Sequence, residues 1–286
     1  MLKTMATMIE VIRRRRSIRS YSGKKIEPEK IERISQLLRT HNRGPFGHTA
    51  RFEIFDLDQY PAGGRPGNTG TYGIIKGAKL FIVGAIGEAV RAPEDFGYCM
   101  ERIILGITDL GLGTCWVGGT FRRNDYAYMI DLAADELLPA ITPVGYPRDS
   151  RTIVDKSLVY LAQSRNRKPW EKLFFLHDFA MPLTENEAGD YREMIRAVQL
   201  APSASNKQPW RIVKERDRNN YHFYLAENRG YIGNRGKVKM QKIDMGIAMC
   251  HFETVAVERG KDGRWLSDEP SLESGDMQYT VTWIES

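Results

Sequence analysis

APSASNKQPWRIV (residues 201–213) is a turn-forming run of proline, serine and asparagine that passes at once into strand residues. The segment before it, ENEAGDYREMIRAVQLA (185–201), places Tyr191, Met194, Ile195 and Val198 at helical spacing. Beyond it, HFYLAE (222–227) reads as a strand, IDMGIAMCHFETVAVERG (243–260) as a long apolar helix stopped by glycine, and MQYTVTWI (277–284) as a last strand. Helix, turn, strand, strand, helix and strand in this order predict an α+β unit.

The first part of the chain has the same order. Pro28 to Leu38 reads as a helix with proline in its first turn, ARFEIFDLD (50–58) as an alternating strand, and KLFIVGAI (79–86) as a fully buried one. Gly97 to Leu110 carries Met100, Ile103, Ile104 and Ile107 at helical spacing and stops at Gly111, and 138–147 reads as another strand. Helix 28–38 answers helix 187–200, strand 51–55 answers 211–214 at an offset of 160, and Gly111 and Trp116 answer Gly260 and Trp265 at an offset of 149. Divergent duplication is expected, with halves 1–170 and 171–286 related by a pseudo-twofold axis inside one globular body.

At 286 residues, 42% of them hydrophobic and 27% charged, the chain can bury a large core. Its net charge of +6 suits an anionic ligand, but acidic residues are interspersed with basic ones almost everywhere, which disfavours nucleic acid as a partner. Cys99, Cys115 and Cys250 form no CxxC pair and lie in apolar surroundings, as buried thiols of a reducing compartment do. The N-terminal stretch lacks a secretory pattern and no run reaches the length of a membrane span, so a cytoplasmic location is expected.

One stretch is locally one-sided. RRRRSIRSY (13–21) sets five arginines and Ser17 directly after a helical segment. Guanidiniums bind phosphate oxygens in bidentate, charge-assisted pairs and the serine hydroxyl adds a donor, although arginines at a helix end also suit the helix dipole with no ligand at all. GLGTCWVGG (111–119) is either a tight turn into a strand or a place where backbone approaches a flat ligand. The glycine-rich segment 60–73 reads as a long loop. His41, His48 and His251 read as structural, Trp116 and Trp210 as core packing, and no metal site is expected.

These motifs together resemble the FMN-dependent nitroreductase family: RRRRSIRSY its phosphate-binding start, APSASNKQPWRI its serine-asparagine-QPW segment, GLGTCWVGG its central-helix exit. The resemblance implies a nitroreductase-like α+β fold with mixed or antiparallel sheets around a central buried helix pair. It further implies the branch in which two subunits of the usual homodimer are fused, and hence a monomer. Arg15, Arg16, Ser17 and Arg19 match the residues holding the FMN phosphate and ring edge. Pro202, Ser203, Ala204, Ser205 and Asn206 match the loop that a partner subunit lays against the flavin, and Gly118 and Gly119 the backbone near the flavin N5. Arg165 and Arg167, with Lys168, resemble the basic tail that returns to the phosphate, and Thr71 and Tyr72 lie in the loop that could reach the pyrimidine edge.

The copies have diverged in complementary ways: Lys172, Leu173, Phe174 and Leu176 stand where the arginine run would repeat, and residues 38–42 lack the Pro-Ser pair. One tightly but non-covalently held FMN is therefore expected per chain, with NAD(P)H as a transient donor, nitroaromatics, quinones or flavins as acceptors, and no obligatory catalytic side chain. Reductive dehalogenation, oxidative dehydrogenation and simple flavin storage are the alternatives.

Overall fold

The computed structural model describes residues 6–60, 64, 69–148, 166–228, 230, 231, 233 and 237–286. They form, in chain order, α1 (Met8–Arg14), α2 (Pro28–Thr40), β1 (Ala50–Asp56), β2 (Leu80–Gly87), α3 (Ala92–Asp109), β3 (Gly113–Thr114), α4 (Arg123–Met129), β4 (Glu136–Leu137) and β5 (Ile141–Gly145). There follow β6 (Phe174–Leu176), α5 (Arg192–Leu200), β7 (Trp210–Lys214), β8 (Tyr221–Leu225), α6 (Met240–Glu258), β9 (Gly263–Leu266) and β10 (Gln278–Glu285).

Two sheets flank a helix pair. One has the order β1-β2-β5-β3, with β4 also on β2; the other runs β6-β7-β8-β10-β9. The path β7-β8-β10-β9 repeats β1-β2-β5-β3 strand for strand, and β6 is added outside it, parallel to β7 in the register Phe174↔Ile212. Strands β2 and β8 are buried along nearly their whole length, on both faces of their sheets, which is why 79–86 reads as a continuous apolar run.

Helices α3 and α6 cross at the centre, both apolar round most of their circumference. Glycine makes the crossing possible. A Cβ on Gly97 would overlap the Ile243 carbonyl and one on Gly246 the Glu94 carbonyl, so each helix lets the other's backbone in at one point. Helix α3 begins at Ala92, five residues before the Gly97 start read from the sequence. Glu94 and Asp95 broke the apolar pattern there, yet both are buried.

The arginine run leaves α1 as an extended strand. Ile18 N donates to Thr114 O (2.8 Å), Lys76 N to Arg19 O (2.8 Å) and Tyr21 N to Lys76 O (2.8 Å), which wedges residues 17–21 between β3 and the segment leading into β2. The three cysteines are buried. No helix among the described residues is long and apolar enough to cross a membrane.

Candidate functional site

The five arginines have separate fates. Arg14 closes on Asp109 (3.0 Å), Arg13 and Arg16 are exposed, and Arg19 is half-buried. Arg15 turns inward, with its side chain only 8% exposed and its Nε 3.8 Å from Oε1 of the fully buried Glu101. Glu101 also accepts from Trp116 Nε1 (2.6 Å) and meets His251 Nε2 at 2.9 Å. His251 Nδ1 lies 2.9 Å from the Ala197 carbonyl, which can only accept, so that nitrogen carries a hydrogen and the Nε2–Glu101 contact holds a further proton on one partner or the other. Glu101 thereby joins α1, α3, α5 and α6 around Arg15. His251 is the hydrogen-bonded core residue expected of it.

The second loop arrives beside this cluster. Arg167 donates from Nη1 to Asn206 Oδ1 (3.2 Å) and from Nη2 to Leu200 O (2.9 Å), and its guanidinium is pushed down to about 10, first by burial and then by the charge of Arg15. Lys168 is pushed down to about 8 by burial and by Arg211 and Lys207. The burial of Arg211 lowers its own value too. Cations that depress one another's charge mark a surplus of positive potential, the setting in which a bound anion relieves the repulsion. Arg165 lies outside the described residues.

Residues 203–208 are built as a rigid corner. Ser205, Asn206 and Gln208 all have positive φ (48°, 55° and 46°), a conformation that costs non-glycine residues about 1–3 kcal/mol and persists only under tertiary constraint. The constraints are visible: Gln208 N donates to Ser203 Oγ (2.9 Å), Lys168 N to Gln208 Oε1 (2.8 Å), and Ala204 N to Asp244 Oδ1 (2.8 Å). Asp244 is fully buried, its Oδ2 has no hydrogen-bond partner among the described residues, and desolvation pushes its carboxyl up to about 8. A buried acid in that state is neutral at pH 7.

Beside this corner opens a cavity of about 1070 Å³. Gly118, Gly119 and Arg123 line it from one side, Ser205, Lys207 and Tyr231 from the other. A Cβ on Gly118 would strike Met240 at the start of α6, whereas one on Gly119 would point into open space, so this backbone forms a bare wall. Ser205 Oγ lies 3.2 Å from Tyr231 Oη.

The structure thus brings Gly118, Gly119 and Ser205 to one cavity and Arg15, Arg167 and Asn206 to a cationic cluster next to the same loop. Ser17 is tied through its backbone to Thr114, and Pro202, Ser203 and Ala204 form the supported base of the corner. Thr71 and Tyr72 do not line the cavity: Thr71 is buried and bonded to Thr69 (2.7 Å), and Tyr72 is 72% exposed. Their loop instead accepts from Arg122 N at Gly70 O (2.8 Å). Among the described residues no cluster of metal-ligating side chains occurs.

With this geometry in view, residues 7–256 match the model of a protein family described as "Putative TM nitroreductase". The chain belongs to that family. It is, by that membership, an oxidoreductase. Its fold is similar to that of a Thermotoga maritima protein described as a putative nitroreductase, at 19% identity and a TM-score of 0.63, over 99% of this chain and 96% of that one. A Clostridium novyi nitroreductase family protein matches at 22% identity over 53% of this chain and 91% of its own, with a TM-score of 0.42. An FMN-dependent nitroreductase of Clostridium difficile matches at 20% identity over 50% and 90%, with a TM-score of 0.40. No curated protein matches.

Sequence reasoning passed over Glu101, Arg123, Asp244 and Tyr231. Glu101 and Asp244 carried a signal, since each is an acid inside an apolar helix, and a carboxylate on such a face needs a partner or a changed proton affinity. Arg123 and Tyr231 carried none, because their place depends on which loops meet across the cavity.

Proposed function

We propose that this chain is an FMN-dependent NAD(P)H oxidoreductase of nitroreductase type, working on small electron-poor acceptors such as nitroaromatics, quinones or flavins. The observation that carries the reading is the surplus of buried positive charge where Arg15 from the N-terminal run, Arg167 and Lys168 from the connecting segment, and the Ser203–Asn206 corner meet. That cluster fits a phosphate dianion, and the bare Gly118–Gly119 wall facing Ser205 fits a flat ring. When bound, FMN supplies the hydride chemistry.

The chain's own residues then bind and orient. Arg15, Arg16, Ser17, Arg19 and Arg167 hold the phosphate side and the ring edge, with Glu101 fixing the direction of Arg15. Gly118 and Gly119 offer backbone at the ring, and Asn206 positions Arg167. The buried thiols support a cytoplasmic setting. A single cavity serves donor and acceptor in turn, so parallel double-reciprocal lines are expected, and intersecting lines would count against a shared site.

The halves 1–170 and 171–286 are read as fused counterparts of two subunits, giving a monomer with one FMN. The arginine run and the Pro-Ser-Ala-Ser-Asn loop each occur once, and Leu173, Phe174 and Leu176 are buried in the core where a second arginine run would stand. Light scattering combined with flavin absorbance of the purified protein tests both claims. We expect flavin bands, one equivalent per chain and a monomer; absence of flavin affinity refutes the activity, and two equivalents or an obligate dimer refute the fusion.

A further inference from the structure

Among the described residues, four charged side chains line the cavity: Arg123, Glu136, Lys207 and Lys237. Two are neutralised. Glu136 is gripped by Arg51 through Nε–Oε1 (2.8 Å) and Nη2–Oε2 (2.7 Å), and Lys237 pairs with Glu88 (2.8 Å). Lys207 sits on the loop that carries Ser205 and Asn206, close enough to Lys168 for its charge to lower that lysine's proton affinity. Arg123 remains.

Arg123 has no carboxylate within ion-pair distance among the described residues, yet its guanidinium is fixed. Nε donates to Leu138 O (2.9 Å), Nη2 to Gly118 O (3.0 Å) and Pro139 O (3.3 Å), and the group lies over the Phe121 ring at 4.7 Å. Nη1 makes no hydrogen bond among the described residues. Three carbonyls orient a cation without cancelling its charge, and a pre-oriented guanidinium loses little entropy when it takes a planar anion. Its attachment to Gly118 puts that charge beside the wall where the ring would lie.

We infer that Arg123 is the anchor for an anionic, carboxylate-type group on the acceptor, so that this cavity selects negatively charged aromatic acceptors over neutral ones of the same shape. The inference rests on the proposed function for the word acceptor, but the anion site itself does not need the flavin. Recognition by one fixed cation on the Gly118 wall leaves the rest of the acceptor free to vary.

Two measurements on the purified protein separate these claims. Calorimetry with benzoate and benzamide, which cannot be reduced, should show benzoate binding about tenfold more tightly, with Arg123→Gln abolishing the difference and Arg123→Lys keeping part of it. In turnover with NAD(P)H, 4-nitrobenzoate should exceed 4-nitrobenzamide about tenfold in kcat/KM, and the excess should shrink as salt is raised. Equal binding of benzoate and benzamide by the wild type overturns the inference. So does an equal loss for both ligands in Arg123→Gln with a lowered Tm, the mark of a merely structural arginine, and so does a preference that vanishes with Lys207→Gln instead. Tighter benzoate binding by a protein without flavin affinity would refute the proposed activity and leave the Arg123 site standing.

Discussion

Asp95 and Asp244 stand 149 residues apart (244 − 95) on the two central helices and do the same job to different degrees. Asp95 uses both oxygens on the Gly44–His48 loop: Oδ1 accepts from Phe46 N (2.9 Å), and Oδ2 accepts from His48 N (2.9 Å) and meets its ring Nδ1 (2.8 Å). Asp244 uses one oxygen on the Ser203–Asn206 corner and leaves the other buried, with no hydrogen bond among the described residues. The first loop is a finished structural turn. Its counterpart keeps unmet hydrogen-bonding capacity, three left-handed residues and a surplus of cations, and it is the one beside the cavity. Unsatisfied polar groups and strained backbone lower stability, and proteins retain them where a ligand uses them.

Charge reversal breaks this comparison most sharply. Arg15→Glu combined with Arg19→Glu should weaken FMN binding a hundredfold or more, since each charge-assisted bond contributes about 1.5–3 kcal/mol. Lys172→Glu, at the corresponding place 157 residues on (172 − 15), should leave it unchanged. Because Arg15 is buried beside Glu101, the exposed Arg16→Glu serves as a second probe, with a smaller loss and an unaltered Tm. Equal flavin affinity in all of these variants would remove the asymmetry.

At the helix crossing the two halves should instead behave alike. Gly97→Ala and Gly246→Ala each drive a methyl into a carbonyl, and overpacking of this kind costs about 1–3 kcal/mol. Chemical denaturation should show both losses; a neutral result for one would mean that the helices do not meet symmetrically there.

A third test concerns pH. Asp244 holds its proton to about 8 when folded and releases it near 3.8 when unfolded, so between these values the folded state binds more protons and stability falls as pH rises, by at most about 1.4 kcal/mol per unit. Asp244→Asn should flatten the stability profile across that window. An unchanged slope would show that the carboxyl is already ionised at neutral pH.

Much of the fold was legible because periodicity survives divergence. The strands at 50–56 and 80–87, helix 28–40 and the apolar helix of the second half were read close to their observed places, since apolar spacing at two or 3.6 residues reports directly which face is buried. Where the reading slipped, buried polar groups were responsible: α3 starts at Ala92 because Glu94 and Asp95 are inside, contrary to what carboxylates usually do. Thr71 and Tyr72 were placed by loose loop alignment alone, and a glycine-rich loop has no periodicity to fix it.

Sequence alone determined most of the elements and their repeated order, because each depends on neighbours within a few positions. Only the tertiary structure decided that Arg15 turns inward to Glu101 while Arg14 goes to Asp109, and that Arg123 lines the cavity held by the Gly118, Leu138 and Pro139 carbonyls. The physical reason is range. A hydrophobic period is a local property of the chain, whereas the fate of a charge depends on the carboxylates, carbonyls and other cations that folding brings within a few ångströms from other elements.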